Sequence, residues 1–280
     1  MQSRRDLLAA STAAIAAGFA GCSASGQDDD GNTSTPSSQG PDETAATPSV
    51  NAAVSAEWNA MRARLWDALS LGVANETGAG ASVAQQTFAR FENASGEYGA
   101  HEMLEATSES NYEAFEEALG ELRTAGLQAE NIGRAREEAA IASTQLAEAQ
   151  RTLAGERTAQ LLDLQLFGST VQDAAFLAAA GNFEAARTTA ADVLRRFEET
   201  PVHDALSEAD SEAYVTFESA VAAVESAAKN ENAERVQNSA TKAFEAALDG
   251  SYALADAEAA AGAGHMAALQ ARGWDAAALA

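Results

Sequence analysis

The chain has 280 residues, with 42 Asp and Glu against 17 Lys and Arg, and its formal net charge is −25 at pH 7. This charge excludes a general nucleic-acid-binding protein, because neutralising phosphates requires clustered Lys and Arg side chains. The single cysteine, Cys22, excludes a disulfide framework, a cysteine-based zinc site and an iron–sulfur cluster.

Residues 1–22 are typical of a twin-arginine export signal. Arg4 and Arg5 precede an apolar stretch, residues 7–20, that is too short and too rich in small side chains to span a membrane comfortably. The stretch ends at Cys22 in a lipobox-like sequence, in which the cysteine is lipidated and becomes the new N-terminus. A bare signal peptide with a free cysteine is the alternative. We expect an exported protein whose lipid anchors it to the outer face of the cell membrane.

Residues 23–51 predict a disordered acidic tether. The segment combines an acidic run, Asp28–Asp30, with a Ser/Thr/Pro-rich run at residues 33–38. Because it has few apolar side chains to bury, it cannot offset the entropy cost of ordering.

The N-glycosylation pattern Asn-X-Ser/Thr occurs at Asn32, Asn75 and Asn93.

The chain is lysine-poor as well as acidic, since only Lys229 and Lys242 are lysines. Molar salt favours such a composition, because carboxylates stay hydrated while the salt screens their mutual repulsion. An acidic surface behind a twin-arginine lipoprotein signal resembles the secreted proteins of halophilic archaea. Ordinary solubility is the alternative explanation of the charge.

From residue 52 to residue 280 the sequence predicts an all-α fold. This part contains a single proline, Pro201, and long runs of good helix formers with apolar residues at helical spacing. No stretch shows the alternating pattern of a strand. Glycines at Gly126, Gly155 and Gly250 predict breaks between helices.

An internal repeat is the most informative feature of this helical part. Residues 101–119 align without a gap on residues 203–221, offset by 102, with His, Leu, Tyr, Phe, Glu and Ala in identical places. We therefore predict two tandem antiparallel helical modules of about 100 residues each, forming a bundle or short solenoid. Module 1 covers residues 52–155, and module 2 covers residues 156–280 with a closing helix at its end.

The histidines are the candidate metal ligands. His101 and His203 hold the same place in the two modules, and each is followed by an acid. Glu105 lies one helical turn after His101, on the same face and within reach of a shared cation. The full set of candidate ligands is His101, Glu105, His203, Asp204 and His265.

The helix that follows each repeated segment, residues 156–181 for the first and the closing helix for the second, could supply a further ligand. His265 could approach His203 in the second module, as Asp163 could approach His101 in the first, giving one pair per module. In the alternative interpretation each histidine is a core residue, packed against the Tyr/Phe helix and hydrogen-bonded to a neighbouring acid.

No sequence pattern supports catalysis. The chain has no GxSxG, no P-loop, no HExxH and no paired Glu-x-x-His motifs of a di-iron bundle. A blue-copper site needs a cysteine ligand, and Cys22 is already assigned to the lipobox. We expect a non-enzymatic protein with no cofactor, or with a metal ion if the histidine sites are occupied.

Three stretches, residues 166–186, 196–204 and 264–275, resemble an uncharacterised all-helical domain of haloarchaeal exported proteins. That domain often stands beside a halocyanin-type copper domain, and the resemblance covers residues 52–280. It implies a place at the cell surface and an association with electron transfer, with a copper protein as the partner. This chain has no copper domain, so a redox role would be indirect.

A second resemblance is to imelysin-type lipoproteins of iron uptake. Their GxHxxE motif is approached by Gly99, His101 and Glu105, with the glutamate one residue further along.

Two functions follow from the sequence. The first is a lipid-anchored helical scaffold or partner-binding module, accessory to surface electron transfer; the alternative is an extracytoplasmic iron- or copper-binding protein.

Overall fold

The computed structural model describes residues 48–255 and 262–269. Within these ranges every regular element is a helix, which confirms the predicted all-α class, and none is long and apolar enough to cross a membrane. The predicted export signal with Arg4, Arg5 and Cys22, the tether up to residue 47 with Asn32, and much of the closing helix lie outside the described residues.

The helices form two groups, each around its own hydrophobic core. The first group contains α1 (Pro48–Val73), α2 (Thr77–Asn93), α3 (Ala100–Thr107), α4 (Glu109–Glu121), a π-helix (Leu122–Gln128) that continues α4, and α5 (Ile132–Ala154). The second group contains α6 (Glu156–Ala179), α7 (Phe183–Glu198), α8 (Pro201–Ala209), α9 (Ser211–Lys229) and α10 (Ala233–Leu254). Residues 262–269 form a further helix, α11.

Helices α1 and α6 lie side by side at the junction of the two groups. Residues 161–175 of α6 are all buried, as expected of a helix that is packed on every side. The Asn59 side chain donates a hydrogen bond to the Leu162 carbonyl (2.8 Å), and further along the Ser70 hydroxyl donates to Asp173 (3.4 Å). Because these contacts advance in the same direction along both helices, α1 and α6 run parallel.

Polar side chains and prolines define where several helices begin. Pro201 occupies the first turn of α8, where its missing N–H removes no intrahelical bond. Pro48 likewise begins α1, so the helix starts four residues before the predicted helical part. Side-chain oxygens accept backbone N–H bonds at the starts of α4, α5, α9 and α10, from Ser108, Asn131, Asp210 and Asn232.

Two of the predicted helix breaks are wrong. Gly126 lies within the π-helix and Gly250 within α10. Both glycines permit close packing instead, because an added Cβ would lie 2.7 Å from the Ala135 Cα at Gly126 and 2.7 Å from the Leu206 side chain at Gly250. Gly155, with a φ of 86°, does separate α5 from α6 as predicted.

Candidate metal centre

His101 lies in an aromatic cluster of the first group. Its ring centroid is 5.1 Å from that of Phe91 and 5.1 Å from that of Tyr112, whose ring it meets at 81°. Phe91 also packs edge-on against Phe115 at 4.9 Å, and both phenylalanines are fully buried. The Nε2 atom of His101 lies 3.2 Å from the Tyr112 hydroxyl. Packing and this hydrogen bond together fix the orientation of the imidazole.

Two glutamates stand beside this imidazole. Glu92 comes from the last turn of α2 and Glu116 from α4, while His101 lies at the start of α3. One ligand atom from each of the three residues lies within 4.8 Å of the other two. Since ligand bonds to first-row metals are about 2.0–2.2 Å long, small side-chain rotations would bring the three atoms around one ion. Within the described ranges this is the one such group of three.

The electrostatics of the cluster show crowded negative charge. Burial raises the pKa of Glu116, and its hydrogen bond with Glu92 raises that pKa further. Burial, followed by the hydrogen bond with Glu116, raises the pKa of Tyr112 to about 12. A bound cation would stabilise the charged carboxylates and reverse both effects.

His203 lies in a matching cluster of the second group. Its ring centroid is 5.4 Å from that of Phe197 and 5.1 Å from that of Tyr214, at an interplanar angle of 83° for the second pair. Phe197 packs against Phe217 at 4.9 Å, and the His203 Nε2 lies 3.0 Å from the Tyr214 hydroxyl. The two histidines therefore have the same aromatic surroundings.

The acids around His203 are arranged more openly. The Glu218 carboxylate lies 3.7 Å from the His203 Nε2. Burial raises the pKa of Tyr214, and the charges of Glu218 and Glu198 raise it further. The Nδ1 atom of His203 is 2.8 Å from Asp204, whereas the Nδ1 atom of His101 is 4.0 Å from its nearest acid. A carboxylate on Nδ1 orients an imidazole for a ligand on Nε2.

The structure separates the sequence-predicted ligands. His101, His203 and Asp204 lie in the two clusters, but Glu105 is exposed on α3 and is not one of the three converging residues. His265 lies elsewhere: its Nε2 is 3.2 Å from the Leu248 carbonyl, and its ring packs edge-on against Tyr252.

Asp163 does not face His101 but takes part in a buried polar network between α1, α5 and α6. It forms an ion pair with Arg62 (2.7 Å) and a longer one with Arg151 (3.4 Å). The Arg62 guanidinium also donates to Ser143 (3.1 Å) and to Gln150 (2.8 Å). These partners satisfy a buried arginine, which gives the network a structural role.

Glu92 and Glu116 were not among the ligands predicted from the sequence. A signal was present, because Glu116 aligns with Glu218 inside the repeated segment and Glu92 follows an Arg-Phe pair, as Glu198 does.

Of the glycosylation candidates within the described ranges, Asn75 is exposed in the turn between α1 and α2, and Asn93 is exposed at the end of α2.

The described residues thus define an all-helical protein with two cores and a cluster of one imidazole and two carboxylates suited to a cation. The chain belongs to the family of a domain of unknown function, DUF5059, which matches residues 53–280. The matched range agrees with the extent predicted for an uncharacterised helical domain. No curated protein and no solved structure matches the chain.

Proposed function

We propose that the chain is a non-enzymatic, exported lipoprotein that binds a first-row transition-metal ion at Glu92, His101 and Glu116. The convergence of two carboxylates and one imidazole within 4.8 Å carries this proposal. Nitrogen and oxygen donors suit Fe(III), Cu(II) or Zn(II) and do not suit Cu(I), which prefers thiolate and thioether ligands. Iron and copper are the ions that the sequence analysis favours.

The two groups of helices are, in this proposal, internal repeats, with modules at residues 52–155 and 156–280. The matching His–Tyr hydrogen bonds of 3.2 and 3.0 Å support the repeat. Glu198, His203 and Glu218 then form a second site. It binds more weakly, because its three ligand atoms do not all lie within 4.8 Å of one another.

Calorimetric titration of the full chain with Cu(II), Fe(III) or Zn(II) in high salt tests the metal site. We expect one tight equivalent and one weaker one. Glu116→Gln keeps the side-chain shape but removes the charge, so it should weaken the tight equivalent at least tenfold. Glu218→Gln should weaken the other. The matched control is Glu117→Gln, which changes an exposed neighbour on the same helix.

Circular dichroism of each variant separates loss of binding from loss of folding. Weak, non-saturating binding that is the same in Glu116→Gln and in the unaltered chain would contradict the metal-binding function. Equal affinities at the two sites would contradict only the predicted order of strength.

Export and membrane anchoring are part of the proposal and rest on Arg4, Arg5 and Cys22. The acid excess supports a haloarchaeal cell surface as the location. Replacing both arginines by lysine keeps the charge but removes the twin-arginine feature, so uncleaved precursor should accumulate inside the cell. Cys22→Ser should release the protein from the membrane fraction. Membrane retention of Cys22→Ser would contradict lipid anchoring.

A partner-binding scaffold, accessory to surface electron transfer by a copper protein, is the second candidate function. Exposed apolar side chains could supply contacts for such a partner, since Val215 is 59% exposed and Tyr252 is 54% exposed. Titration with a halocyanin-type copper protein should give a saturable complex that Val215→Ser weakens. No complex at any salt concentration would contradict this candidate.

A further inference from the structure

A cavity of about 320 Å³ lies between the two groups of helices. Its lining is rich in arginine, unlike the acidic surface of the chain. Three arginines line it, Arg62, Arg151 and Arg196, together with the acids Asp163 and Glu199. Asp163 is paired with the first two arginines, and Glu199 is paired with an arginine outside the cavity, Arg195, at 2.7 Å. Positive charge therefore remains in excess inside the cavity of a chain whose net charge is −25.

Arg196 accounts for this excess. Its guanidinium lies over the Trp66 ring, 3.7 Å from the centroid, and 5.4 Å from the centroid of Phe167. Its buried Nε has no hydrogen-bond partner among the described residues. Burial, with the positive charges of Arg62 and Arg195, lowers the pKa of Arg196 to about 9, so the group is still charged at neutral pH.

The acids near Arg196 either pair with other arginines or have a raised pKa. Asp192 pairs with Arg136 and, more distantly, with Arg195. Asp173 of α6 is fully buried, and burial, followed by the charge of Asp67, raises its pKa well above the usual value.

The face and the edge of the Arg196 guanidinium have different roles. Trp66 covers one face, which holds the plane in place by a cation–π contact. The edge carries N–H donors in a fork that matches the two oxygens of a carboxylate. Apolar side chains supply part of the cavity wall, namely Leu166, Phe167, Ala140 and Ala147, and the hydroxyl residues Ser143, Thr144 and Thr200 also line it.

We propose that this cavity binds a small organic carboxylate, with its anionic group on Arg196 and its apolar body against Phe167 and Leu166. The size supports the class of ligand, because pockets for small molecules begin near 300 Å³. This site is separate from the His101 cluster, so the inference does not depend on metal binding.

Calorimetric titration of the full chain with benzoate tests the site, with three comparison ligands. Acetate keeps the carboxylate without the ring, benzyl alcohol keeps the ring without the charge, and inorganic phosphate is an anion with no apolar body. We expect saturable benzoate binding at one equivalent, at least tenfold tighter than acetate or phosphate, and no saturation by benzyl alcohol.

Two variants assign the binding to this cavity. Arg196→Gln should weaken benzoate at least tenfold, whereas Arg187→Gln, on the exposed face of the same helix, should leave it unchanged. Thr144→Leu narrows the cavity from its exposed rim without touching the arginine, so it should weaken benzoate more than acetate.

Absence of saturable benzoate binding would overturn the proposal, as would binding that neither Arg196→Gln nor Thr144→Leu changes. Equal affinities for phosphate and benzoate would overturn it in favour of an inorganic-anion site. If Arg196→Gln fails to fold, as judged by circular dichroism, the Thr144→Leu comparison still decides the outcome.

Discussion

The imidazole of His101 stands almost perpendicular to the ring of Tyr112, with 5.1 Å between centroids and 3.2 Å between Nε2 and the hydroxyl. His203 and Tyr214 repeat this arrangement at 5.1 Å and 3.0 Å. In each pair the two residues are eleven positions apart, on consecutive helices. The tyrosine hydroxyl therefore holds each imidazole through Nε2, the nitrogen that also lies nearest a glutamate, and a metal ion on Nε2 would replace this hydrogen bond.

Tyr112→Phe should separate the orienting effect of this hydroxyl from the packing of its ring. Loss of the hydrogen bond should lower the free energy of unfolding by about 1 kcal/mol. Because the hydroxyl occupies Nε2 and is not a partner of the opposite ring nitrogen, it competes with a metal ion, so its removal should leave binding at the first site as tight as before or tighter. Urea unfolding and calorimetric titration measure the two effects.

Tyr98→Phe is the control for this substitution, since Tyr98 is an exposed tyrosine outside the cluster. It should change neither quantity. Weaker metal binding in Tyr112→Phe would mean that the hydroxyl is needed to orient His101 and that packing against Phe91 is not enough.

Close helix packing at Gly126 gives a prediction about stability. An added Cβ would lie 2.7 Å from the Ala135 Cα, and backbone atoms cannot move aside cheaply. Gly126→Ala should therefore lower the free energy of unfolding by about 1–3 kcal/mol. At Gly120 nothing lies within 4 Å, so Gly120→Ala should raise it by about 0.5–1 kcal/mol through the unfolded state. Thermal unfolding of the two variants should move in opposite directions.

The same glycines show what the sequence can and cannot predict. Helical periodicity and the absence of alternating patterns are local properties, so the all-α class followed from them directly. Whether a glycine ends a helix or admits a neighbour depends on tertiary contacts. For that reason Gly155 was predicted correctly as a break, while Gly126 and Gly250 were not.

The candidate site, too, was predictable only in the part that a pattern in the sequence reveals. The repeated pattern singled out His101 and His203, because the repeat is visible in the sequence. Their carboxylate partners come from other helices, and the packing of those helices against α3 brings Glu92 and Glu116 to His101. Helical spacing alone placed Glu105 on the face of His101, but the cluster is formed by residues from α2 and α4.

The Arg62–Asp163 ion pair allows a test of the buried network. Both side chains are less than 10% exposed, at 7% and 6%. Arg62→Met leaves Asp163 without its shorter partner, so it should cost about 3–5 kcal/mol in the free energy of unfolding. The double substitution with Asp163→Leu removes both charges and should recover much of that loss.

Urea unfolding of both single variants and of the double variant completes the thermodynamic cycle. Arg187→Met, which breaks an exposed pair with Glu184, should have no measurable effect. Strictly additive losses for Arg62→Met and Asp163→Leu would show that the two side chains are not energetically coupled.

The raised pKa of Asp173 predicts that the stability of the fold falls as pH rises. It is buried between α1 and α6, its Oδ1 has no hydrogen-bond partner, and burial followed by the charge of Asp67 raises its pKa. A carboxyl whose pKa is raised by folding binds its proton more tightly in the folded state than in the unfolded chain. Its contribution to stability is fully present below the unfolded pKa of about 3.9 and is lost as pH rises through the folded pKa.

Asp173→Asn removes this titration and keeps the side-chain shape, so the comparison isolates one group. The free energy of unfolding of the unaltered chain should fall relative to that of the variant as pH rises, by at most about 1.4 kcal/mol per pH unit. Urea unfolding of both proteins between pH 4.5 and pH 8.5, at constant salt, measures the difference. Parallel pH profiles would show that Asp173 is ionised in both states, and Arg196 would then have a charged neighbour that reduces its attraction for a carboxylate.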